Sequence, residues 1–368
     1  MQIKNAKFAM FLNNLDYGGA QKIQTFLANE SVNEFKEVYI IVERTTPIRF
    51  EIDERIKVIF LPEINFKKNN LFNKLVKKIN SIVQLRKVYK HLKLDLVCVF
   101  NFDAAYISVL SKIGLKLKMI GSERRAPMLL SLHKKILSKI FFGKCDYMVF
   151  QLKEAQQFYG KEIIRKSEVI PNPNLNKSSI LNYNVNECSN LVTVAAARFE
   201  HEKGIDLAIK SMVKVVEKYK DIKMDIYGKG HLLDHYNELI DSLNLKENIE
   251  FKGTTDNVSK VAAKGFVFLL PSRSEGIPNT LLEVMSNGIP SISCDCPPGG
   301  PRYLTKNGER AVLVGTEDYN AIARNIILLF ENKELRKKIS DKSKEVIIDL
   351  DKNIIFSKWK IAFEKALE

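Results

Sequence analysis

The chain of 368 residues is poor in the residues that build small cross-linked or metal-held folds: it has five cysteines, five histidines and one tryptophan. The cysteines (Cys98, Cys145, Cys188, Cys294 and Cys296) are odd in number and form no CxxC pair, which argues against a disulfide framework. Two of them, Cys98 and Cys294, lie in apolar runs that read as buried strands, so reduced thiols in a cytosolic protein are expected. No run of about 18 apolar residues occurs, which excludes a spanning helix. The opening MQIKNAKFAMFLNNL lacks the long uncharged core and cleavage site of a signal peptide. Any membrane contact is therefore expected at the surface. With 17 Gly and 11 Pro the chain is neither collagen-like nor of disordered composition. Repeats of 20 to 50 residues and low-complexity tracts are absent as well.

What is present in excess is positive charge, and it is unevenly placed. The chain carries 58 Lys+Arg against 43 Asp+Glu, a net +15. Residues 1–170 hold 30 basic and 16 acidic groups, net +14, whereas residues 171–368 hold 28 and 27, net +1. The field thus belongs to one half, which is suited to a polyanion or an anionic membrane surface.

Short apolar runs alternate with amphipathic stretches throughout. In the first half the runs are 7–13, 38–43, 57–62, 94–101, 118–123 and 146–151; after a proline- and asparagine-rich segment the pattern restarts at 191–197, 223–228, 248–253, 265–271, 290–295 and 311–315. Strand and helix in alternation predict parallel sheets covered on both faces. The α/β architecture expected is two Rossmann-like doubly wound domains facing a central cleft, with ligands at the carboxyl ends of the strands. The domains read as 1–170 and 171–350, joined by a linker from Pro171 to about Asn190. Residues 351–368 read as a C-terminal amphipathic helix that carries Trp359 and packs back on the N-terminal domain.

Three constellations can carry chemistry. Gly18-Gly19 follows the first strand and precedes a helix, where backbone amides and the helix start favour an anion; an ordinary turn is the alternative, and GxGxxG is absent. Arg198 and Lys203 flank FEHE after the strand at 191–197 and suit a diphosphate, the alternative being a solvated loop with ion pairs to Glu200 and Glu202. The segment SRSEGIPNTLLE places Glu275 and Glu283 on either side of a glycine turn and the first turns of a helix. Glu275 can face a bound sugar there, while the amides at the helix start hold phosphate.

These segments, taken with GGAQ, GSERRAP (121–127), YMVFQLKEAQQFY (147–159), VIPNP (169–173), AAARFEHEKGIDLAI (195–209), IYGKGHL (226–232) and SCDCPPGGPRYL (293–304), extend over nearly the whole chain. In their order and spacing the chain resembles the retaining GT-B glycosyltransferases of glycosyltransferase family 4. That large family includes sucrose synthases and many bacterial polysaccharide and glycolipid transferases. The resemblance implies that Gly18 and Gly19 lie against the donor diphosphate or reacting centre, and that Arg198 and Lys203 neutralise the diphosphate in place of a metal ion. It implies that Glu275 binds hexose hydroxyls, that Glu283 holds the ribose, and that amides from Thr280 to Leu282, with Gly276 and Asn279 beside them, touch phosphate. Tyr227, Gly228 and Gly230 would shape the nucleotide pocket. Neither a metal nor a cofactor is implied; the nucleotide sugar, a UDP-sugar, is substrate.

One departure from the family pattern lies after the strand KMIGSE, where many relatives carry a histidine and this chain has Ser122-Glu123-Arg124-Arg125. Glu123 becomes the candidate acceptor base, with a structural ion pair to Arg124 or Arg125 as the alternative, and both arginines are candidates for the acceptor side. In the same half, residues 67–93 hold nine Lys/Arg and no acid. Phe72, Leu75, Ile79, Ile82, Leu85, Tyr89 and Leu92 form an apolar stripe expected to pack on the sheet. Lys74, Lys77, Lys78 and Lys87 lie away from it and would meet an anionic leaflet or a lipid diphosphate, the alternative being a core-packed helix with a solvated outer face. LLSLHKKILSKIFFG, with Lys134, Lys135 and Lys139, is a second helix of that kind.

The sequence therefore reads as a retaining hexosyl- or N-acetylhexosaminyltransferase at the cytoplasmic face of the membrane. It would extend a lipid-linked glycan in bacterial surface polysaccharide or glycoconjugate synthesis. A soluble acceptor is the nearer alternative. A basic nucleic-acid-binding protein is the distant one, without any nucleic-acid motif to support it.

Overall fold

A computed structural model of the chain describes residues 2–16, 18–64, 66, 70–175, 181, 183–196 and 198–368. Lys67 and Lys68 of the basic stretch, Ala197 of the AAARF segment and part of the expected linker lie outside the described residues. The chain divides into two compact units, Met1–Asn172 with Asn353–Glu368, and Pro173–Lys352.

The first unit is built on seven parallel strands: β1 (Lys7–Leu12), β2 (Glu37–Val42), β3 (Lys57–Phe60), β4 (Leu96–Phe100), β5 (Lys118–Glu123), β6 (Tyr147–Phe150) and β7 (Ser167–Val169). Their order is β3-β2-β1-β4-β5-β6-β7, so the winding reverses between β1 and β4. β4 and β6 are buried at every position, as continuous apolar runs in a sheet covered on both faces must be. The helices of this unit include α1 (Gly19–Ser31), α2 (Leu71–Leu92), α3 (Asn101–Lys112) and α4 (Leu132–Gly143). The last helix of the chain, Lys352–Leu367, belongs almost entirely to this unit. Its Trp359 is fully buried and stacks on Phe100 of β4 at 5.9 Å, and Phe363 lies 5.0 Å from Phe8 of β1. Lys360 pairs with Glu34 at 2.7 Å, which adds a polar tie at the rim.

α2 departs from the expected packing. Its start is capped by Asn70, whose side chain accepts from the Asn73 amide at 2.8 Å. Only Leu85 and Tyr89 of the stripe are buried; Phe72, Leu75 and Ile79 are exposed, together with Leu71 and Val83. The first half of the helix thus lacks the sheet contact that its periodicity predicted, because α3 supports the C-terminal half, where Ser111 Oγ donates to the Ile82 carbonyl and Arg86 reaches the Ser111 carbonyl. Lys78 is not an unpaired outer charge either. It lies 3.6 Å from the buried Glu43 at the end of β2, a partner outside its own helix. On the far side of α3, α4 leaves Leu132, Ile136 and Ile140 exposed at spacings of four.

The second unit repeats the plan with six parallel strands: β8 (Ser189–Ala195), β9 (Lys223–Tyr227), β10 (Ile249–Gly253), β11 (Gly265–Leu270), β12 (Ser291–Cys294) and β13 (Val312–Val314). The order is β10-β9-β8-β11-β12-β13, with the reversal between β8 and β11. Val192, Val194, Ile226, Val267, Leu269 and Ile292 form the sheet side of its core, and Ile205, Ile209 and Met212 of the helix Ile205–Lys218 pack against them. The expected linker is docked where it is described. The Leu181 amide donates to Asn287, the Tyr183 hydroxyl donates to the Gly265 carbonyl, and Val185 is buried. Both sheets are the doubly wound Rossmann-like type that the strand pattern predicts.

Candidate active site

In a doubly wound sheet the loops that leave two neighbouring strands on opposite faces open a crevice at the point where the winding reverses. In the second unit those loops follow β8 and β11, and they carry the residues with the richest chemistry.

The loop after β8 ends in a single 3-10 turn, His201–Lys203, closed by Gly204 at φ +64°. A Cβ on Gly204 would lie 2.1 Å from the Pro271 carbonyl oxygen, so glycine is required for the two loops to touch. That approach sets Lys203 Nζ 2.7 Å from Glu275 Oε1. Ser272 Oγ donates to the same oxygen at 2.9 Å. Both charged side chains keep partial access to water, 24% and 15% of their surface. Arg198 is placed differently: 72% of its side chain is exposed and its Nε pairs with Glu200 at 3.3 Å. The structure therefore brings Lys203 to Glu275 and leaves Arg198 in the solvated-loop arrangement.

The turn that carries Glu275 rests on the segment after β12. The Glu275 amide donates to the Pro297 carbonyl at 3.1 Å, and a Cβ on Gly300 would meet the Gly276 carbonyl oxygen at 1.5 Å. The helix Asn279–Ser286 follows, with Pro278 preceding its first turn. Leu282 does not offer the amide expected of it, since that group donates to the Pro278 carbonyl at 3.0 Å as the first bond of the helix. The amides of Asn279, Thr280 and Leu281 precede that bond. The side chains of Leu281 and Leu282 are buried in the core, so neither can line a polar pocket. Glu283, two turns along, accepts from the Ser259 amide at 3.3 Å, and Asn287 and Ser259 Oγ both donate to its carbonyl.

Tyr227 ends β9, and its hydroxyl is pushed above its ordinary value by burial and by the neighbouring Asp225. Gly228 and Gly230 pack on the loop after β8: a Cβ on Gly228 would lie 2.0 Å from the Ala196 carbonyl oxygen, and one on Gly230 would lie 2.6 Å from the Phe199 amide. The structure gives both glycines a role in closing that loop.

Sequence reasoning places Arg273 within its motif without assigning it a role, and passes over Asp206 and Glu317. The Arg273 guanidinium holds Asp206 at 2.7 and 2.8 Å and also reaches Glu317 in the loop after β13. Burial alone would raise the Asp206 carboxyl, yet the Arg273 bonds hold it below the usual range. The available signal is an arginine two residues before the candidate glutamate, on the short segment between β11 and the helix Asn279–Ser286.

In the first unit, Gly18 and Gly19 follow β1 and open α1, and Gln21 of the same turn donates to Asn14 at 3.1 Å. Glu123 ends β5, and its side chain is fully buried. Its Oε1 accepts the Arg124 and Arg125 amides, both at 3.0 Å, and burial raises its pKa above the ordinary value. Its enclosure departs from the acceptor-base expectation, and its bonds run to the backbone amides of Arg124 and Arg125 rather than to their side chains, so only the 4.0 Å approach of Arg125 Nε answers to the expected ion pair. The Arg124 side chain is turned inward as well. Its guanidinium lies 4.2 Å from the Phe100 ring, donates to Asn172 at 2.9 Å, and is brought down to about 9 by burial. Only Arg125 is partly open; it pairs with Asp103 at 2.9 Å and lies 4.0 Å from Glu123. Lys74, Lys77 and Lys87 are exposed. Among the described residues no helix is long and apolar enough to cross a membrane.

Residues 184–346, most of the second unit, match the family described as Glycosyl transferases group 1. Over 96% of its length the chain is 25% identical to 97% of a Campylobacter jejuni protein. That relative is named GalNAc-alpha-(1->4)-GalNAc-alpha-(1->3)-diNAcBac-PP-undecaprenol alpha-1,4-N-acetyl-D-galactosaminyltransferase. Among solved structures, sucrose-phosphate synthase from Thermosynechococcus elongatus matches with a TM-score of 0.81 at 13% identity, covering 98% of this chain and 99% of that one. The Anabaena protein HepE in complex with UDP and glucose matches with a TM-score of 0.78 at 14% identity, over 97% and 99%. The fold is GT-B, and the family match together with the fold supports a GT-B glycosyltransferase.

Proposed function

We propose that the protein transfers a sugar, with retention of configuration, from a UDP-sugar to a growing glycan carried on polyprenyl diphosphate. The observation that carries this reading is the Lys203–Glu275 pair across the strand-order reversal of the second unit. Lys203 would neutralise the donor diphosphate, with Arg198 swinging in from its exposed position. Glu275 would hold hexose hydroxyls and Glu283 the ribose. As the bond from the anomeric carbon to phosphate breaks, negative charge grows on the departing diphosphate and positive charge on the sugar. Fixed donors aimed at the phosphate then act more strongly on the transition state than on the ground state. The acceptor hydroxyl attacks the same face, and its proton passes to the leaving phosphate oxygen, so no separate base is needed where Glu123 is enclosed. The cation Lys203 takes the place of a metal ion, and EDTA should leave UDP binding unchanged.

The lipid-linked acceptor is supported by the name of the Campylobacter relative and by the first unit's charge. The donor is supported by the UDP in the Anabaena structure. Contact with the inner face of the membrane is supported by the exposed apolar rows of α2 and α4 beside Lys74, Lys77, Lys87, Lys134 and Lys139. The protein's place would be bacterial surface polysaccharide or glycoconjugate synthesis. A thermal-shift screen across nucleotide sugars tests the reading, since a ligand that binds only the folded state raises its stability. A UDP-sugar should give the largest shift, and Glu275→Ala should abolish turnover of that donor. Full turnover by the variant would refute the assignment.

A further inference from the structure

We propose that Arg273 is the positioning residue that sets Lys203 and Glu275 for the donor diphosphate; this rests on the reading of that pair as the donor site. The guanidinium has five N–H groups, and all of them are used within the protein. Nη1 donates to the His201 carbonyl at 2.8 Å and to Asp206 Oδ1 at 2.7 Å; Nη2 donates to Asp206 Oδ2 at 2.8 Å and to Glu317 Oε2 at 3.1 Å; Nε donates to Glu317 Oε1. None is left for a phosphate, so Arg273 cannot serve as a second diphosphate cation. It acts through its neighbours.

Those neighbours bracket Lys203. His201 lies at the start of its 3-10 turn, and Asp206 lies in the first turn of the helix that follows Gly204. The Arg273 amide also donates to the Glu202 carbonyl at 2.7 Å. Arg273 itself lies two residues before Glu275 on the loop after β11, so one planar group fixes the separation of the two loops that carry the ion pair. Glu317 adds the loop after β13 to the same clamp. It adopts φ +67°, a left-handed conformation disfavoured for a residue with a side chain, and its carboxylate ends on Arg273. A lysine at 273 would keep the charge and lose the planar two-pronged grip on Asp206.

The test is the ratio of dissociation constants for UMP and UDP, measured by calorimetry, because that ratio isolates what the second phosphate adds. The wild-type chain should favour UDP by about tenfold or more, as expected for a charge-assisted contact. In Arg273→Ala the ratio should fall to about one to two while UMP affinity stays within about twofold. Arg273→Lys should recover only part of the difference, and Asp206→Asn, which keeps shape and leaves Glu317 in place, should reduce the ratio at least about threefold. Asp206→Asn decides the matter if Arg273→Ala does not fold. A wild-type ratio kept by a folded Asp206→Asn or Arg273→Ala variant would overturn the proposal and leave the donor reading standing. A wild-type ratio near one would overturn both.

Discussion

Lys203 and Glu275 meet at 2.7 Å with three quarters or more of each side chain withdrawn from water, so the pair is less screened than a surface ion pair. Glu123, at the end of a strand in the other unit, shows the opposite use of a carboxylate. It is enclosed, it caps two amides, and burial raises its pKa. A raised folded-state pKa means that the folded protein holds the proton more readily than the unfolded chain. The stability this group provides is therefore complete below the unfolded value of about 4.3 and is lost as pH rises through the folded one. Glu123→Gln keeps the amide-accepting oxygen and removes the titration. Its melting temperature relative to the wild type should climb as pH is raised from about 4 toward 7. A difference independent of pH would show that the buried carboxylate does not titrate in this way.

At the scale of elements, the site depends on close approaches that only glycine permits. Gly300→Ala would drive a methyl group into the Gly276 carbonyl and displace the turn carrying Glu275. Urea unfolding should show a loss of about 1–3 kcal/mol, as for an overpacked position, together with weakened donor binding. The strands were legible from their apolar runs, and Lys203 and Glu275 from their place at strand ends. Periodicity marked the stripe of α2 correctly, but it shows which face is apolar and not what covers it, so the exposure of Phe72, Leu75 and Ile79 was hidden. Arg273 was invisible as a clamp because its partners Asp206 and Glu317 lie 67 and 44 residues away, and no local pattern records such pairings. The enclosure of Glu123 and Arg124 was hidden for the same reason, since Tyr159, Asn172 and Trp359 come from distant segments.

For the whole molecule, charge and chemistry divide between the units. The net +14 of residues 1–170 coincides with two helices whose apolar rows remain exposed, whereas the Lys203–Glu275 site sits in the nearly neutral half. If the basic helices meet an anionic leaflet, each lysine contributes about 1 kcal/mol. Neutralising Lys74, Lys77 and Lys87 together should weaken binding to vesicles rich in anionic lipid by about 3 kcal/mol, roughly a hundredfold, in a flotation assay. Unchanged flotation would assign those lysines to solvation alone. In the other half, titration of UDP into the wild-type chain and into Lys203→Ala tests the diphosphate role assigned to Lys203. Saturable binding is expected of the wild type, with a loss of about 1.5–3 kcal/mol in the variant, tenfold or more in affinity. Equal affinity in the two proteins, or no UDP binding by the wild type, would contradict it.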